Sequence, residues 1–87
     1  MKPTVLIVDD NEKVLLAERR HLLAAGYDVH SATTVAQARE AAAERRFDAV
    51  LLDLNLPDGN GLDYVEELRQ SNRAMAIVVI TGQDDIA

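Results

Sequence analysis

The feature that most constrains this sequence is a set of short apolar runs, each too short for a helix and two of them closed by aspartate. Val5-Leu6-Ile7-Val8 stops at Asp9-Asp10, and Asp48-Ala49-Val50-Leu51-Leu52 stops at Asp53. Runs of this length, rich in β-branched residues, suit strands buried on both faces, which occur where helices cover both sides of a parallel sheet. Ala76-Ile77-Val78-Val79-Ile80, ending at Thr81-Gly82, is another such run. Tyr27 to Ala32 instead alternates around Val29, which fits a less apolar strand nearer a sheet edge.

Between these runs the apolar period lengthens. From Glu12, Leu15-Leu16 recurs as Leu22-Leu23 with Glu18, Arg19 and Arg20 between, until Gly26 supplies a stop, so the segment predicts an amphipathic helix. Thr34 and Gln37 fit a capping box, with Val35, Ala38 and Ala42 on one face of a helix ending near Arg46. After the turn-dense segment Leu54 to Gly61, Leu62, Val65 and Leu68 restore a helical face to about Gln70. The order strand, helix, strand, helix, strand, helix, strand predicts an α/β fold: an open parallel sheet with right-handed crossovers and helices on both faces.

With 87 residues and no linker, repeat or low-complexity stretch, residues 1–87 form one small unit. Cysteine is absent, which removes disulfides and thiolate metal sites and suits a reducing compartment. No signal-peptide pattern opens the chain and no apolar run approaches the ~20 residues of a bilayer span, so no membrane association and a cytoplasmic location are expected. Fifteen acidic against nine basic residues, a net charge of -6, disfavour direct contact with nucleic acid.

A parallel sheet would gather Asp9, Asp10, Asp53 and Thr81 at one edge, where open α/β sheets bind their ligands. Clustered carboxylates repel one another, and a hard divalent cation with oxygen ligands, Mg2+ before zinc, keeps them ionised. Such an ion retains waters and can meet a phosphoryl oxygen during in-line transfer. Asp53 is the natural nucleophile, since a carboxylate can form an acyl phosphate.

Val8-Asp9-Asp10, the run Leu51-Leu52-Asp53-Leu54-Asn55-Leu56-Pro57-Asp58-Gly59-Asn60-Gly61, and Val79-Ile80-Thr81-Gly82 together resemble the receiver domains of two-component response regulators. The resemblance implies a flavodoxin-like fold with sheet order 2-1-3-4 for the strands of this chain. It implies that Asp53 is the phospho-acceptor, that Asp9 and Asp10 join it at Mg2+, and that Asn55 offers a backbone carbonyl to that ion. Thr81 becomes the switch hydroxyl, and Gly82 leaves room for the phosphoryl group. The implied donor is a phosphohistidine on a sensor histidine kinase or phosphotransfer protein. The domain assists its own phosphotransfer and dephosphorylation as a switch, and is not a metabolic enzyme. The family pattern continues with a fourth helix, a fifth strand bearing a phosphate-pairing lysine, and a last helix. The expectation is therefore a receiver domain truncated after its fourth strand, which favours a homo-oligomer formed through the bare apolar edge at Ala76 to Ile80 or through swapped elements.

Plainer roles compete for several of these residues. Asp10 could cap the first helix, Thr81 could bond locally, and Asn55 and Pro57 could simply shape a turn, with Gly61 permitting close packing at a helix start. Gly59-Asn60-Gly61 lacks the third glycine and lysine of a phosphate loop. His21 and His30 have no partner at ligand spacing, which points to solvated or locally bonded rings, and Glu44-Arg45-Arg46 reads as a solvated helix end. Two other functions fit less: a binding module that keeps the fold without phosphotransfer, and an aspartyl-phosphate hydrolase, which needs a second acid where Asn55 stands.

Overall fold

The computed structural model describes residues 2–71 and 75–80 of the chain. Strand and helix alternate as β1 (Thr4–Val8), α1 (Glu12–Ala24), β2 (Asp28–Ala32), α2 (Val35–Glu44) and β3 (Ala49–Asp53). A miniature ribbon of β4 (Asn55–Leu56) and β5 (Gly59–Asn60) follows, then α3 (Gly61–Ser71) and β6 (Ala76–Ile80). The main sheet runs β2-β1-β3-β6 with every pair parallel, which is the expected order 2-1-3-4 once the ribbon is set aside.

The pleat explains the layers, because successive strand residues point to opposite faces. Val5 and Ile7 of β1 pack with Val29 and with Leu15 of α1 on one face. Leu6 and Val8 pack with Val50, Leu52, Val35, Ala38, Tyr64 and Leu68 on the other, beneath α2 and α3. β1 is thus enclosed on both sides, as its uninterrupted apolar run requires, while β2 lies at the edge of the sheet.

The helix ends follow local rules with two long-range additions. α1 closes in a Schellman arrangement: Gly26, at φ +96°, donates to Leu23 O at 3.1 Å, and Tyr27 N donates to Leu22 O at 3.0 Å. Thr34 Oγ accepts from Gln37 N at 3.0 Å as a capping box demands, but the Gln37 amide reaches one residue further back than expected, to Thr33 N at 2.8 Å. Asp58, from the ribbon turn, completes this cap by accepting from Val35 N at 2.8 Å and Ala36 N at 3.0 Å. Gly61 opens α3 and donates to Leu54 O at 2.9 Å.

Some helical faces differ from the sequence pattern. Of the repeated leucine pairs only Leu15 is buried and Leu22 half-buried, while Leu16 and Leu23 face solvent. Ala41, not Ala42, continues the buried face of α2, and α3 buries Tyr64 and Leu68 while Leu62 is exposed. The ribbon was expected only as loop, since two-residue strands are too short to show a period.

Gly61 is where α3 meets the backbone that leaves β3. A Cβ at this position would lie 2.7 Å from both Asp53 O and Leu54 Cα, backbone atoms that cannot yield cheaply. Gly61→Ala is expected to destabilise the domain by about 1–3 kcal/mol, the usual range for overpacking. Urea denaturation followed by circular dichroism checks this, and an unchanged midpoint would show that the loop after β3 is free to move away.

Candidate functional site

The pairing of β1 with β3 places the site. Val8 stands opposite Leu52 in the parallel register, so the next residue of each strand, Asp9 and Asp53, emerges at the same carboxyl edge. Asp9 N still donates to Ala32 O at 3.0 Å, which extends the β1–β2 ladder into the site. Asp10 follows on the exposed side. Carboxylate oxygens of Asp9, Asp10 and Asp53 all lie within 4.8 Å of one another, so the expected triad is assembled.

Backbone donors fix two of the three carboxylates. Asp9 Oδ1 accepts from Asn11 N at 2.9 Å, and Asp53 Oδ1 accepts from Asn55 N at 3.2 Å. Asp10 is not the helix cap: Asn11 takes that role, its Oδ1 accepting from Lys13 N at 2.9 Å and Val14 N at 3.3 Å. The cap is shifted by one because Asp9-Asp10-Asn11 offers three good capping residues in a row, and sequence alone does not choose among them. Asp10 is thereby left to face its neighbours.

Asp9 and Asp53 are only 6% and 9% exposed, which makes their proximity costly. Burial pushes the Asp9 carboxyl above its usual range; the Asn11 N–H opposes this, and the charges of Asp53 and Asp10 add to it. On α1, Glu18 is also pushed up, first by burial and then by the charges of Asp9 and Asp53. The sequence pattern gave no reason to connect Glu18 with the site. Three hard oxygen donors from two strand ends, with no lysine or arginine paired to them among the described residues, fit a hard divalent cation.

The loop that carries Asp53 onward is fastened at its far side. Asp58 receives two N–H groups at the start of α2, and these hold its carboxyl below the usual carboxylate range. No local signal in Pro57-Asp58-Gly59 announces a bond across 23 residues. His30, expected as a solvated or locally bonded ring, instead meets residues distant in sequence: its Nε2 lies 3.1 Å from Arg45 Nη1 and its ring meets Phe47 edge-on at 5.7 Å, with Asp28 Oδ2 3.7 Å away. Thr81 and Gly82, expected beside Asp53, lie outside the described residues.

Residues 5–87 match the family model for the response regulator receiver domain. The chain belongs to this family. Among curated relatives, the photosynthetic apparatus regulatory protein RegA of Rhodovulum sulfidophilum is 41% identical over 85 residues, covering 98% of this chain and 46% of RegA. The transcriptional regulatory protein KdpE of Mycobacterium tuberculosis (strain CDC 1551 / Oshkosh) is 44% identical over 80 residues, covering 92% of this chain and 35% of KdpE. The chain therefore spans less than half the length of these relatives. A CheY-like receiver domain from Methanospirillum hungatei JF-1 superposes with a TM-score of 0.91 at 28% identity, over 94% of this chain and 66% of that one.

As a receiver domain, the chain is a signalling unit and not a metabolic enzyme. Receiver domains generally bind Mg2+ at an acidic pocket, and this chain gathers Asp9, Asp10 and Asp53 within 4.8 Å of one another. Among the described residues no helix is long and apolar enough to cross a membrane.

Burial of Asp9 gives a pH-dependent consequence with a defined sign. Its folded pKa is raised, so the unfolded chain loses this proton first and Asp9 costs stability as pH rises from about 3.9 through the folded value. Without divalent cations, Asp9→Asn should unfold at higher urea than the parent at pH 7, and the advantage should vanish near pH 3. Urea titrations in EDTA at the two pH values measure this, and an equal or lower midpoint at pH 7 would contradict it.

Proposed function

We propose that Asp53 accepts a phosphoryl group from a phosphohistidine on a sensor histidine kinase or phosphotransfer protein, and that the added charge switches a protein surface. The observation that carries this reading is the assembly of nearly buried Asp53 with Asp9 and Asp10 at the carboxyl edge of the sheet. Mg2+ would be held by Asp9, Asp10, Asp53 and the Asn55 backbone carbonyl. When bound it supplies charge neutralisation for these carboxylates and for the phosphoryl oxygens.

Asp53 provides the nucleophile. Its Oδ1 is engaged by Asn55 N, which leaves Oδ2 the freer oxygen for attack. An O–P bond forms at Asp53 as the P–N bond of the donor breaks, and the electron pair returns to the imidazole, which departs neutral with a proton on its other nitrogen. Asp9, held by Asn11 N, and Asp10 keep further oxygens at the same edge. Thr81 would then hydrogen-bond the phosphate, with Gly82 leaving it room. The phosphate carries roughly −1.5 to −2 charges, enough to bias a two-state surface. The domain also assists loss of that phosphate.

On this reading residues 1–87 are receiver throughout, working in the cytoplasm, with no direct nucleic-acid contact by this segment. Treating the chain with Mg2+ and a small-molecule phosphodonor should add the mass of one phosphoryl group. Asp53→Asn and EDTA should each abolish the gain. A parent chain that never gains mass, or an Asp53→Asn variant that still does, would refute the assignment.

A second reading, a self-associating module without phosphotransfer, draws on β6. It is an edge strand among the described residues, with Val78 50% and Val79 39% exposed, and apolar edges of this kind pair with other chains. Light scattering on a sizing column should then show a mass above the 9.5 kDa of one chain, reduced to that value by Val78→Lys. A monomeric parent removes this reading.

A further inference from the structure

Glu18 occupies a position that its polarity does not explain. α1 lays Leu15 and Leu22 against Val5, Ile7 and Val29. Glu18 stands three residues after one leucine and four before the other, which puts it on the same helical face. It is half-buried, and its Oε1 is fully enclosed without a hydrogen-bond partner among the described residues. An enclosed carboxylate oxygen with no donor costs stability, and an aliphatic side chain would fill this stripe better.

The direction of the helix gives the position a meaning. Side chains on an α-helix lean toward its N-terminus, and α1 begins immediately after Asp9-Asp10-Asn11. Glu18 therefore leans toward the end of α1 that follows Asp9 and Asp10. The charges of Asp9 and Asp53 both act on its carboxyl, which agrees with this placement. Apolar packing from β1 and β2 surrounds the stripe, so water screens these charges less than it would at an open surface.

We propose that Glu18 is a positioning residue for charge: without touching the ion, its carboxylate behind Asp9 and Asp53 strengthens divalent-cation binding and weakens the cation-free domain. The inference rests on the reading of Asp9, Asp10 and Asp53 as Mg2+ ligands. It distinguishes two effects that a packing role would not separate. Removing the charge should weaken binding and strengthen the empty fold, whereas a residue that merely packs would lower both or neither.

Calorimetric titration of the 87-residue chain with MgCl2 at low salt, for the parent, Glu18→Gln and Glu18→Leu, tests this together with urea unfolding in EDTA. Both variants should bind Mg2+ more weakly, on the order of fivefold for the loss of one nearby unit charge, and both should unfold at higher urea in EDTA. Half-molar salt should narrow the difference in affinity. Glu18→Gln binding within about twofold of the parent would overturn the proposal, as would weak binding confined to Glu18→Leu. A parent that binds no Mg2+ would overturn the reading of the metal site, and this inference with it.

Discussion

Mutual repulsion among Asp9, Asp10 and Asp53 is the constraint on which the rest of the structure turns. A parallel pair of strands, each ending in aspartate, brings two buried carboxylates side by side, and Asp10 adds a third. Stability alone would not select this arrangement, since desolvated like charges raise the free energy of the folded state. The fold sustains it through the apolar strands behind the site: Leu6, Ile7, Val8, Val50 and Leu52 are all fully buried. Backbone N–H groups of Asn11 and Asn55 then hold the carboxylates that those strands deliver. The chain thus places a cluster of like charge at the edge of its buried sheet, where on the proposed reading a divalent cation offsets the repulsion.

The segment after Asp53 shows how that rigidity reaches the loop. Gly61 lets α3 start in contact with the backbone of Asp53 and Leu54, and Asp58 binds the ribbon turn to the first N–H groups of α2. Asp53 is therefore held from both directions, by β3 before it and by a loop fixed to two helices after it. On the proposed reading, a change of charge at Asp53 would act on this frame and bias a switch between discrete arrangements.

The fold was largely legible because its signals are periodic and local. Val5 to Val8 read as a doubly buried strand and the structure buries it so, Val50 and Leu52 are fully buried with Leu51 half-buried between them, and Gly26 read as a helix stop and closes a Schellman turn. The triad was legible because a parallel sheet leaves strand-end residues at one edge, whatever their separation in sequence. What stayed hidden depends on tertiary contact. The choice of Asn11 over Asp10 as cap, the bond from Asp58 to α2, and the enclosure of Glu18 Oε1 without a partner are decided by tertiary contacts that a polar residue type does not announce.

The central claim is that the phosphoryl group goes to Asp53 and not to its acidic neighbours. The most direct measurement is to treat the chain with Mg2+ and a phosphodonor, reduce any acyl phosphate with borohydride, and locate the product by peptide mass spectrometry. The account predicts homoserine at position 53 with Asp9 and Asp10 intact. Homoserine at position 9 or 10, or a chain unmodified at all three, would contradict it.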